Sequence, residues 1–250
     1  MVERADRAPA VTFFAPEAFT TGSPITLGDD AAQHSRVLRI GAGESVGLRD
    51  GIGGAALGVI SRTAKRSLTI DVTEVWNNPA FAAVHLLVPV ADRDRMLMLA
   101  EKCTELAATS WRPVVWRRSR SVGPAGDGPA FQSRLKARMI SALTQSGGAW
   151  LPEIHPSAPV TRAIAAAPAG TRLLLDANAS QPLIGASLQL PVALAIGPEG
   201  GFDDREKEEM IAGGFTPVLI AGPTLRFETA AIAGLAIVRA KLGDVKEEEA

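Results

Sequence analysis

Two segments near the C-terminus combine glycine and proline with charged residues, as a ligand-binding crevice requires. They are Ile196-Gly197-Pro198-Glu199-Gly200-Gly201-Phe202 and Ala221-Gly222-Pro223-Thr224-Leu225-Arg226-Phe227-Glu228-Thr229-Ala230. Glycines lack side chains, so a flat ligand can approach the backbone closely and be recognised by its amide and carbonyl groups. Arg226 and Glu228 add charge beside these glycines. We favour a ligand site over the alternative of two plain tight turns.

The elements around these segments predict where they meet. Each segment follows a short apolar run with the character of a strand, 192–196 and 216–220, and precedes a helical pattern. Further strands at 83–90, 112–116 and 172–176 alternate with helices, which predicts a mostly parallel sheet covered on both faces. Open α/β sheets bind ligands at the carboxyl ends of their strands. The spacing therefore predicts one crevice that both segments line.

The N-terminal part of the chain has a different pattern. Short β-branched or alternating runs at 45–49, 56–60 and 68–75 are separated by glycines, and 63–67 fits a hairpin turn. This pattern favours a small all-β barrel or sandwich. Trp76-Asn77-Asn78-Pro79 is typical of a linker, so we predict two domains, 1–76 and 77–250.

Composition excludes several classes of protein. With 46% hydrophobic residues in 250, the chain can bury a core, and no apolar run reaches the ~18 residues of a membrane span. The N-terminus lacks the apolar stretch of a signal peptide. A single cysteine, Cys103, in an apolar helical pattern predicts a buried thiol and a reducing, cytoplasmic setting. Three scattered histidines and this cysteine predict no metal site.

Other catalytic motifs are absent or lack their context. Gly51-Ile52-Gly53-Gly54-Ala55-Ala56 fits a dinucleotide-binding pattern, but a hairpin pattern follows it where a helix should open on the phosphates. The sequence contains neither the phosphate-binding G-x-x-x-x-G-K-[ST] motif nor the hydrolase G-x-S-x-G motif. Dinucleotide binding, P-loop chemistry and serine hydrolysis are therefore not expected.

Basic residues are unevenly distributed in a chain of net charge −1. Residues 111–140 carry seven Arg or Lys against one acid, Asp127, a local excess of six positive charges. Arg36 and Arg39 are three residues apart in the sequence. On a helix or tight turn they can project together towards phosphate. Both features favour nucleic-acid contact, although solvated basic faces with ordinary salt bridges remain the alternative.

The motifs together resemble those of a known family, over nearly the whole chain. The sequence resembles the bacterial 16S rRNA uridine-N3 methyltransferases (RsmE-like), of the SPOUT class of S-adenosylmethionine-dependent RNA methyltransferases. The resemblance is carried by His34-Ser35-Arg36-Val37-Leu38-Arg39, Glu101-Lys102-Cys103-Thr104-Glu105-Leu106, Gln145-Ser146-Gly147, Ile196 to Phe202 and Leu225-Arg226-Phe227-Glu228-Thr229-Ala230.

The resemblance implies a fold, a cofactor and partners. It implies an α/β fold in which a PUA-like, RNA-binding β-barrel precedes a SPOUT domain with a C-terminal trefoil knot. It also implies a homodimer that acts on 16S rRNA or the 30S subunit with S-adenosylmethionine. The cofactor-binding residues that it implies are Leu174, Leu175, Asp176, Ile196, Gly197, Pro198, Glu199, Gly200, Gly201, Ile220, Ala221, Gly222, Leu225 and Arg226. The RNA-binding candidates are Arg36, Arg39, Arg118, Arg120 and Gln145.

Two residues are candidates for catalysis. Uridine N3 becomes a good nucleophile only after it loses its proton, and a fixed cation beside the base favours that anion. Arg226 is the candidate cation. Glu228 can orient Arg226 or help to remove the proton; the alternative is a carboxylate that stabilises the start of a helix.

The sequence departs from the family pattern at two places. The family usually has Glu-Gln-Ser-Gly-Arg where this chain has Thr144-Gln145-Ser146-Gly147-Gly148, and Gly-Pro-Arg-x-Leu-Arg where it has Gly222-Pro223-Thr224-Leu225-Arg226. Two basic groups are thereby missing. The alternatives are a SPOUT methyltransferase that acts on tRNA or 23S rRNA, and a non-catalytic RNA-binding protein of ribosome assembly.

Overall fold

The chain forms two compact units. A computed structural model describes residues 9, 11–119, 128–220 and 222–244. The first unit comprises residues up to Ala80 together with Leu143–Trp150, and the second comprises Phe81–Ala142 with the chain from Leu151 onward. The boundary predicted at residue 76 falls inside the last strand of the first unit.

The first unit is built on a curved five-stranded sheet. Its elements are β1 (Thr12–Phe14), β2 (Pro24–Leu27), α1 (Asp29–Leu38), β3 (Ser45–Arg49), β4 (Gly54–Thr63) and β5 (Leu68–Asn77). The strand order is β1-β3-β4-β5-β2, so β1 and β2 form the two edges. Leu48, Ile60 and Ile70 are fully buried in its core. The predicted turn at 63–67 is confirmed, because Ala64 N–H donates to Ser67 O at 2.9 Å.

The prediction that the first domain is all-β was wrong in one respect, because α1 occupies residues 29–38. Its first turn carries Asp29 and Asp30 and its last turn carries Arg36, which complements the helix dipole. The helix ends at Arg39, which adopts the left-handed conformation with φ of 58°. Only Ala32 and Ser35 of its residues are buried, so the helix contributes little to the core of the first unit.

The segment Leu143–Trp150 belongs to the first unit because Trp150 packs on the β3–β4 hairpin. A β-carbon on Gly53 would lie 2.5 Å from the Trp150 ring, so only glycine allows this contact. Gly53 N–H donates to Ala149 O at 2.9 Å, and the Trp150 indole N–H donates to Asn78 O at 3.1 Å. The glycines at 51–54 thus serve a hairpin, in agreement with the expectation against dinucleotide binding.

The second unit is an α/β layer structure. Its elements are β6 (Val84–Pro89), α2 (Arg93–Glu105), β7 (Ser110–Val115), α3 (Pro129–Ser146, to Ala142 within this unit), β8 (Glu153–Ile154), β9 (Ala158–Pro159), α4 (Val160–Ala166), β10 (Thr171–Leu175), β11 (Val192–Ile196), α5 (Asp204–Ala212), β12 (Thr216–Val218) and α6 (Phe227–Asp244). The sheet order is β12-β10-β11-β6-β7-β8, with β9 also beside β7. Every strand pair in this sheet is parallel, as predicted.

Both faces of this sheet are covered by helices. One core joins Leu86 to buried side chains of α2, α3 and α6, among them Leu99 and Leu235. The other joins Leu87 to α4 and α5 through Ala163 and Met210. Burial on both faces explains the continuous apolar run of β11, in which all five residues are buried. None of the described helices combines the length and apolar character needed to cross a bilayer.

The chain after β12 lies between β10 and the connection that leaves β10. Val218 pairs with Leu175 of β10. On the opposite side, Leu219 N–H donates to Gln181 O and Leu183 N–H donates to Leu219 O, at 2.9 and 2.8 Å. The segment after β12 is therefore hydrogen-bonded to the connection that leaves β10. The trefoil knot that the resemblance implies stays a prediction.

The helices α2 and α6 are joined by a half-buried arginine. The Arg239 guanidinium, on α6, donates to the backbone carbonyls of Leu106, Ala82 and Ala107. These carbonyls lie at the end of α2 and before β6. Burial lowers the pKa of Arg239 to about 10, so the group stays charged at neutral pH. Cys103, on α2, is fully buried as predicted, and burial raises the pKa of its thiol.

We expect Arg239→Met to lower the free energy of unfolding by about 1–3 kcal/mol, because three half-buried backbone carbonyls lose a charged donor. Urea unfolding followed by circular dichroism measures the change. Arg162→Met is the matched control, since Arg162 is exposed on α4 and should change stability by less than about 0.5 kcal/mol. Equal stability of the two variants would show that Arg239 contributes nothing beyond its packing.

Candidate functional site

The two Gly/Pro segments line one cavity at the carboxyl ends of β10, β11 and β12. Its volume is about 710 Å³, within the roughly 300–1,000 Å³ that is usual for small-molecule sites. Most of the predicted cofactor residues line it, namely Leu175, Asp176, Ile196, Gly197, Pro198, Glu199, Gly201, Ile220, Gly222, Leu225 and Arg226. The predicted crevice thus exists, and it lies wholly within the second unit.

Three predicted cofactor residues are not among the described residues that line the cavity. Leu174 is not among the lining residues, because its side chain packs in the core on the α4 and α5 face of the sheet. Gly200 does not line the cavity either; its carbonyl accepts a hydrogen bond of 3.4 Å from Arg118. Ala221 lies outside the described residues.

Several residues that line the cavity were not predicted, because nothing in the sequence around them indicates a ligand site. The charged ones are Arg95 on α2 and Asp204 and Lys207 on α5. Arg95 and Lys207 lie on helices whose charged residues look like ordinary surface positions. Only the parallel topology, which brings helix starts to the carboxyl edge of the sheet, places them here.

Phe202 shapes the first segment. Its ring packs edge-on against the buried Trp116 with centroids 5.0 Å apart. A β-carbon on Gly197 would lie 2.7 Å from this ring, so Gly197 makes room for Phe202. Gly201 N–H donates to Pro198 O at 2.9 Å, and Gly201 has φ of 72°, a left-handed conformation that favours glycine. Two glycines of the segment thus have distinct structural requirements.

The start of α5 is tied to the loop after β7. Asp203 caps the helix and accepts from Arg205 N–H at 3.2 Å. Glu206, three residues after Asp203, does not reach back to the start of the helix; its Oε1 accepts from the backbone N–H of Arg117 at 2.8 Å. The Arg117 guanidinium also lies 3.5 Å from Asp203. The first segment is therefore anchored by residues that follow β7.

Asp176 and Lys207 form an ion pair at the wall of the cavity. The Lys207 ammonium lies 2.5 Å from Asp176 Oδ2, and Asn178 N–H donates to Asp176 Oδ1 at 2.9 Å. Asp176 is buried while Lys207 is half-buried. This pair fixes the position of a carboxylate just beyond the end of β10.

The two catalytic candidates differ in their access to the cavity. Arg226 is exposed and lines it. Glu228 is buried, with 5% of its surface exposed, and is not a lining residue. Among the described residues, the ion pair of Glu228 is with Arg95, at 3.8 Å, and not with Arg226. This geometry suits Arg226 for contact with a ligand and does not suit Glu228.

The RNA-binding candidates fall in both units. In the first unit, Arg36 donates to Lys65 O at 2.8 Å, and Arg39 and Gln145 are exposed. In the second unit, Arg118 lines the cavity. Arg120 lies outside the described residues. No three His, Cys, Asp or Glu side chains cluster as metal ligands in the part of the chain that the structure describes.

Comparison with protein families places this chain. A model of the RNA methyltransferase domain matches residues 78–239, which is more than half of the chain. The chain belongs to this RNA methyltransferase family. A second model, of the RNA methyltransferase PUA domain, matches residues 27–73. The predicted fold class is thereby confirmed, with a PUA-like sheet that is followed by the α/β methyltransferase domain.

Three relatives within the RNA methyltransferase family are informative. The ribosomal RNA small subunit methyltransferase E of Synechocystis is 31% identical over 216 residues, which cover 83% of this chain and 69% of that protein. A Legionella pneumophila methyltransferase solved with S-adenosylmethionine superposes with a TM-score of 0.86, at 27% identity over 92% of this chain and 97% of that one. The ribosomal RNA small subunit methyltransferase E of Neisseria gonorrhoeae, also bound to S-adenosylmethionine, has a TM-score of 0.84 at 26% identity, over 94% and 98%.

Proposed function

We propose that this protein is an S-adenosylmethionine-dependent methyltransferase that methylates N3 of a uridine in the 16S rRNA of the small ribosomal subunit. The observation that carries the proposal is the cavity at the strand ends, which both Gly/Pro segments line. The chain that forms this cavity belongs to the RNA methyltransferase family. Relatives over nearly the whole chain are small-subunit rRNA methyltransferases, and one of them was solved with this cofactor.

The residues of the cavity fit S-adenosylmethionine. Beside Gly201 and Gly222, no heavy atom other than those of the chain neighbours lies within 4 Å of a β-carbon position, and both glycines have positive φ. These open, side-chain-free positions leave backbone accessible to a flat purine. Asp176 lines the same cavity and offers a carboxylate to the ribose hydroxyls.

The bound cofactor supplies a methyl group on a positively charged sulphur. Uridine N3 loses its proton to solvent water, and the resulting negative charge is shared by N3, O2 and O4 of the base. The lone pair of N3 then forms the N–CH₃ bond as the C–S bond breaks, and the electron pair of that bond stays on the sulphur, which leaves as a neutral thioether. Arg226 is placed to stabilise that charge from the cavity wall, because its guanidinium makes no hydrogen bond or ion pair with any described residue. A preorganised cation in this role acts as an oxyanion hole does.

The remaining basic candidates act on the rest of the RNA. N3 lies on the Watson–Crick edge, so the target base must be unpaired or flipped out to reach the cavity. We propose that Arg118 at the cavity, with Arg36 and Arg39 on the first unit, contacts RNA phosphates. Each such contact should make the affinity depend on salt concentration.

The first experiment maps the methylated nucleotide. Purified protein is incubated with radiolabelled S-adenosylmethionine and 30S subunits from a strain that lacks the gene. We expect about one methyl group per subunit and a single reverse-transcription stop at a uridine of 16S rRNA, because N3 methylation blocks pairing. Transfer to tRNA or 50S subunits instead would support the alternative RNA substrates. Absence of S-adenosylmethionine binding in calorimetry would support a non-catalytic assembly protein.

The proposal also includes an oligomeric state and a location. The family resemblance implies a homodimer, which light scattering at micromolar concentration tests directly. A ribosomal substrate agrees with the cytoplasmic location that the cysteine usage predicts. A monomer with full activity would mean that each chain completes its own site.

A further inference from the structure

Arg95 contacts both segments of the cavity at once. It lies in the first turn of α2, where its backbone N–H donates to the capping residue Asp92 at 3.1 Å. Its Nη1 lies 2.5 Å from Glu199 Oε1 in the first segment, and its Nε lies 3.8 Å from Glu228 Oε1 in the second. One guanidinium, held by a capped helix, therefore joins two carboxylates that are far apart in the sequence.

The environment of Glu228 defines what this contact does. Glu228 is the second residue of α6, and only 6% of its side chain is exposed. Its Oε2 is buried and accepts no hydrogen bond from any described residue. Its charge is therefore stabilised by Arg95 and by the positive end of the α6 dipole. A carboxylate so enclosed and outside the cavity lining is a structural anchor.

We propose that Arg95 is the positioning residue of the site and that Glu228 is its anchor rather than the proton acceptor. The contact with Glu199 fixes the first segment for cofactor binding. The contact with Glu228 fixes the start of α6, and Arg226 lies only two residues before that anchor. Arg95 thus sets the distance between the cofactor loop and the catalytic cation. The inference rests on the proposed function.

The two contacts have different strengths and predict different effects. The contact with Glu199 is short and charge-assisted, and both side chains are partly shielded, with 33% and 19% exposed. Its loss should weaken cofactor binding, because the first segment lines the cavity. The contact with Glu228 is longer but neutralises a buried charge. Its loss should lower stability, since an uncompensated buried carboxylate is costly.

Five variants separate these roles: Arg95→Met, Arg95→Lys, Glu199→Gln, Glu228→Gln and the double variant Arg95→Met/Glu228→Gln. Arg162→Met on the exposed face of α4 is the control. Calorimetry gives the Kd for S-adenosylmethionine, thermal unfolding gives Tm, and methyl transfer to 30S subunits gives kcat and KM across pH.

We expect Arg95→Met and Glu199→Gln to raise the Kd for S-adenosylmethionine about tenfold. Arg95→Lys should keep Tm but still raise this Kd, because a point charge cannot reproduce a fork that spans two carboxylates. Arg95→Met should lower Tm by about 2–4 °C, and adding Glu228→Gln should restore much of that loss. Glu228→Gln alone should lower kcat by up to about tenfold, because the anchor that positions Arg226 is weakened, and should leave the pH profile unchanged, as expected of a group that transfers no proton.

Two results would overturn the inference. One is a fall of about 100-fold or more in the kcat of Glu228→Gln together with loss of the acidic limb of the pH profile, which is the signature of a general base. The other is additive changes of Tm in the double variant, which would show that Arg95 and Glu228 do not interact. The Tm cycle needs no cofactor, so it tests the contact even if the proposed methyltransferase function fails.

Discussion

Replacing Arg226 with alanine should lower kcat for methyl transfer about 100- to 1,000-fold at saturating S-adenosylmethionine. That is the usual cost of removing one preorganised group that stabilises a developing anion. Arg226 lines the cavity, and its guanidinium is engaged by no described residue, so it can be directed at a bound base. A rapid-quench assay with 30S subunits measures the rate of the chemical step.

The controls for Arg226 separate charge from folding. Arg205→Ala removes an exposed arginine of the first turn of α5 that is not a lining residue, and it should leave kcat unchanged. Arg226→Lys keeps the charge but not the planar fork, so it should recover only part of the rate. An Arg226→Ala variant with wild-type kcat at saturating cofactor would show that Arg226 has no catalytic role.

Local signals in the sequence predicted much of the second unit. The run Val192–Ile196 is entirely apolar and is bounded by Pro191 and Gly197, so β11 could be delimited to the residue. Asp92 and Asp203 cap α2 and α5, and such caps are local features because they depend on neighbours within one turn. The parallel topology followed from the alternation of strands and helices, and the topology in turn predicted a single crevice.

The exceptions have physical reasons. The family resemblance assigned Leu174 to the cavity, and the sequence could not correct this, because the apolar run Leu173–Leu175 in a strand covered on both faces does not reveal which side each residue occupies. The sequence indicated only a helix or tight turn at Arg36 and Arg39, and the extent of α1 was not predicted, because the helix buries only Ala32 and Ser35 and leaves Val37 and Leu38 exposed. The segment Leu143–Trp150 joins the first unit through Gly53, a contact that no local pattern could indicate.

The ion pairs at the site could not be predicted from a single sequence. Arg95 and Glu199 are 104 residues apart, and nothing in the helix around Arg95 distinguishes it from Arg93. The sequence offered Glu228 either as an acid–base group or as a helix-start carboxylate. Its burial and its contact with Arg95 favour the second interpretation. Correlated substitutions at positions 95 and 228 in related sequences would test the contact between Arg95 and Glu228 independently.

A single methyl group at position 197 should weaken cofactor binding strongly. The β-carbon of Gly197→Ala would lie 2.7–3.0 Å from three atoms of the Phe202 ring, which is too close for either group to remain in place. Trp116 is fully packed behind Phe202, so we expect the ring to move towards the cavity that it lines. The bound cofactor must push the ring back into its overpacked position, which costs about 1–3 kcal/mol and raises the Kd for S-adenosylmethionine about 5- to 150-fold.

A second substitution tests whether Phe202 causes the loss. Phe202→Ala removes the ring, so the double variant Gly197→Ala/Phe202→Ala should bind S-adenosylmethionine as well as Phe202→Ala alone. Gly41→Ala is the matched control, because a β-carbon there meets no heavy atom within 4 Å and Gly41 belongs to the first unit. If Gly197→Ala weakens binding equally with and without the ring, the backbone at position 197 itself contacts the cofactor. If it binds as tightly as the unsubstituted protein, the ring has room to move elsewhere, and Gly197 is not required to keep the cavity open.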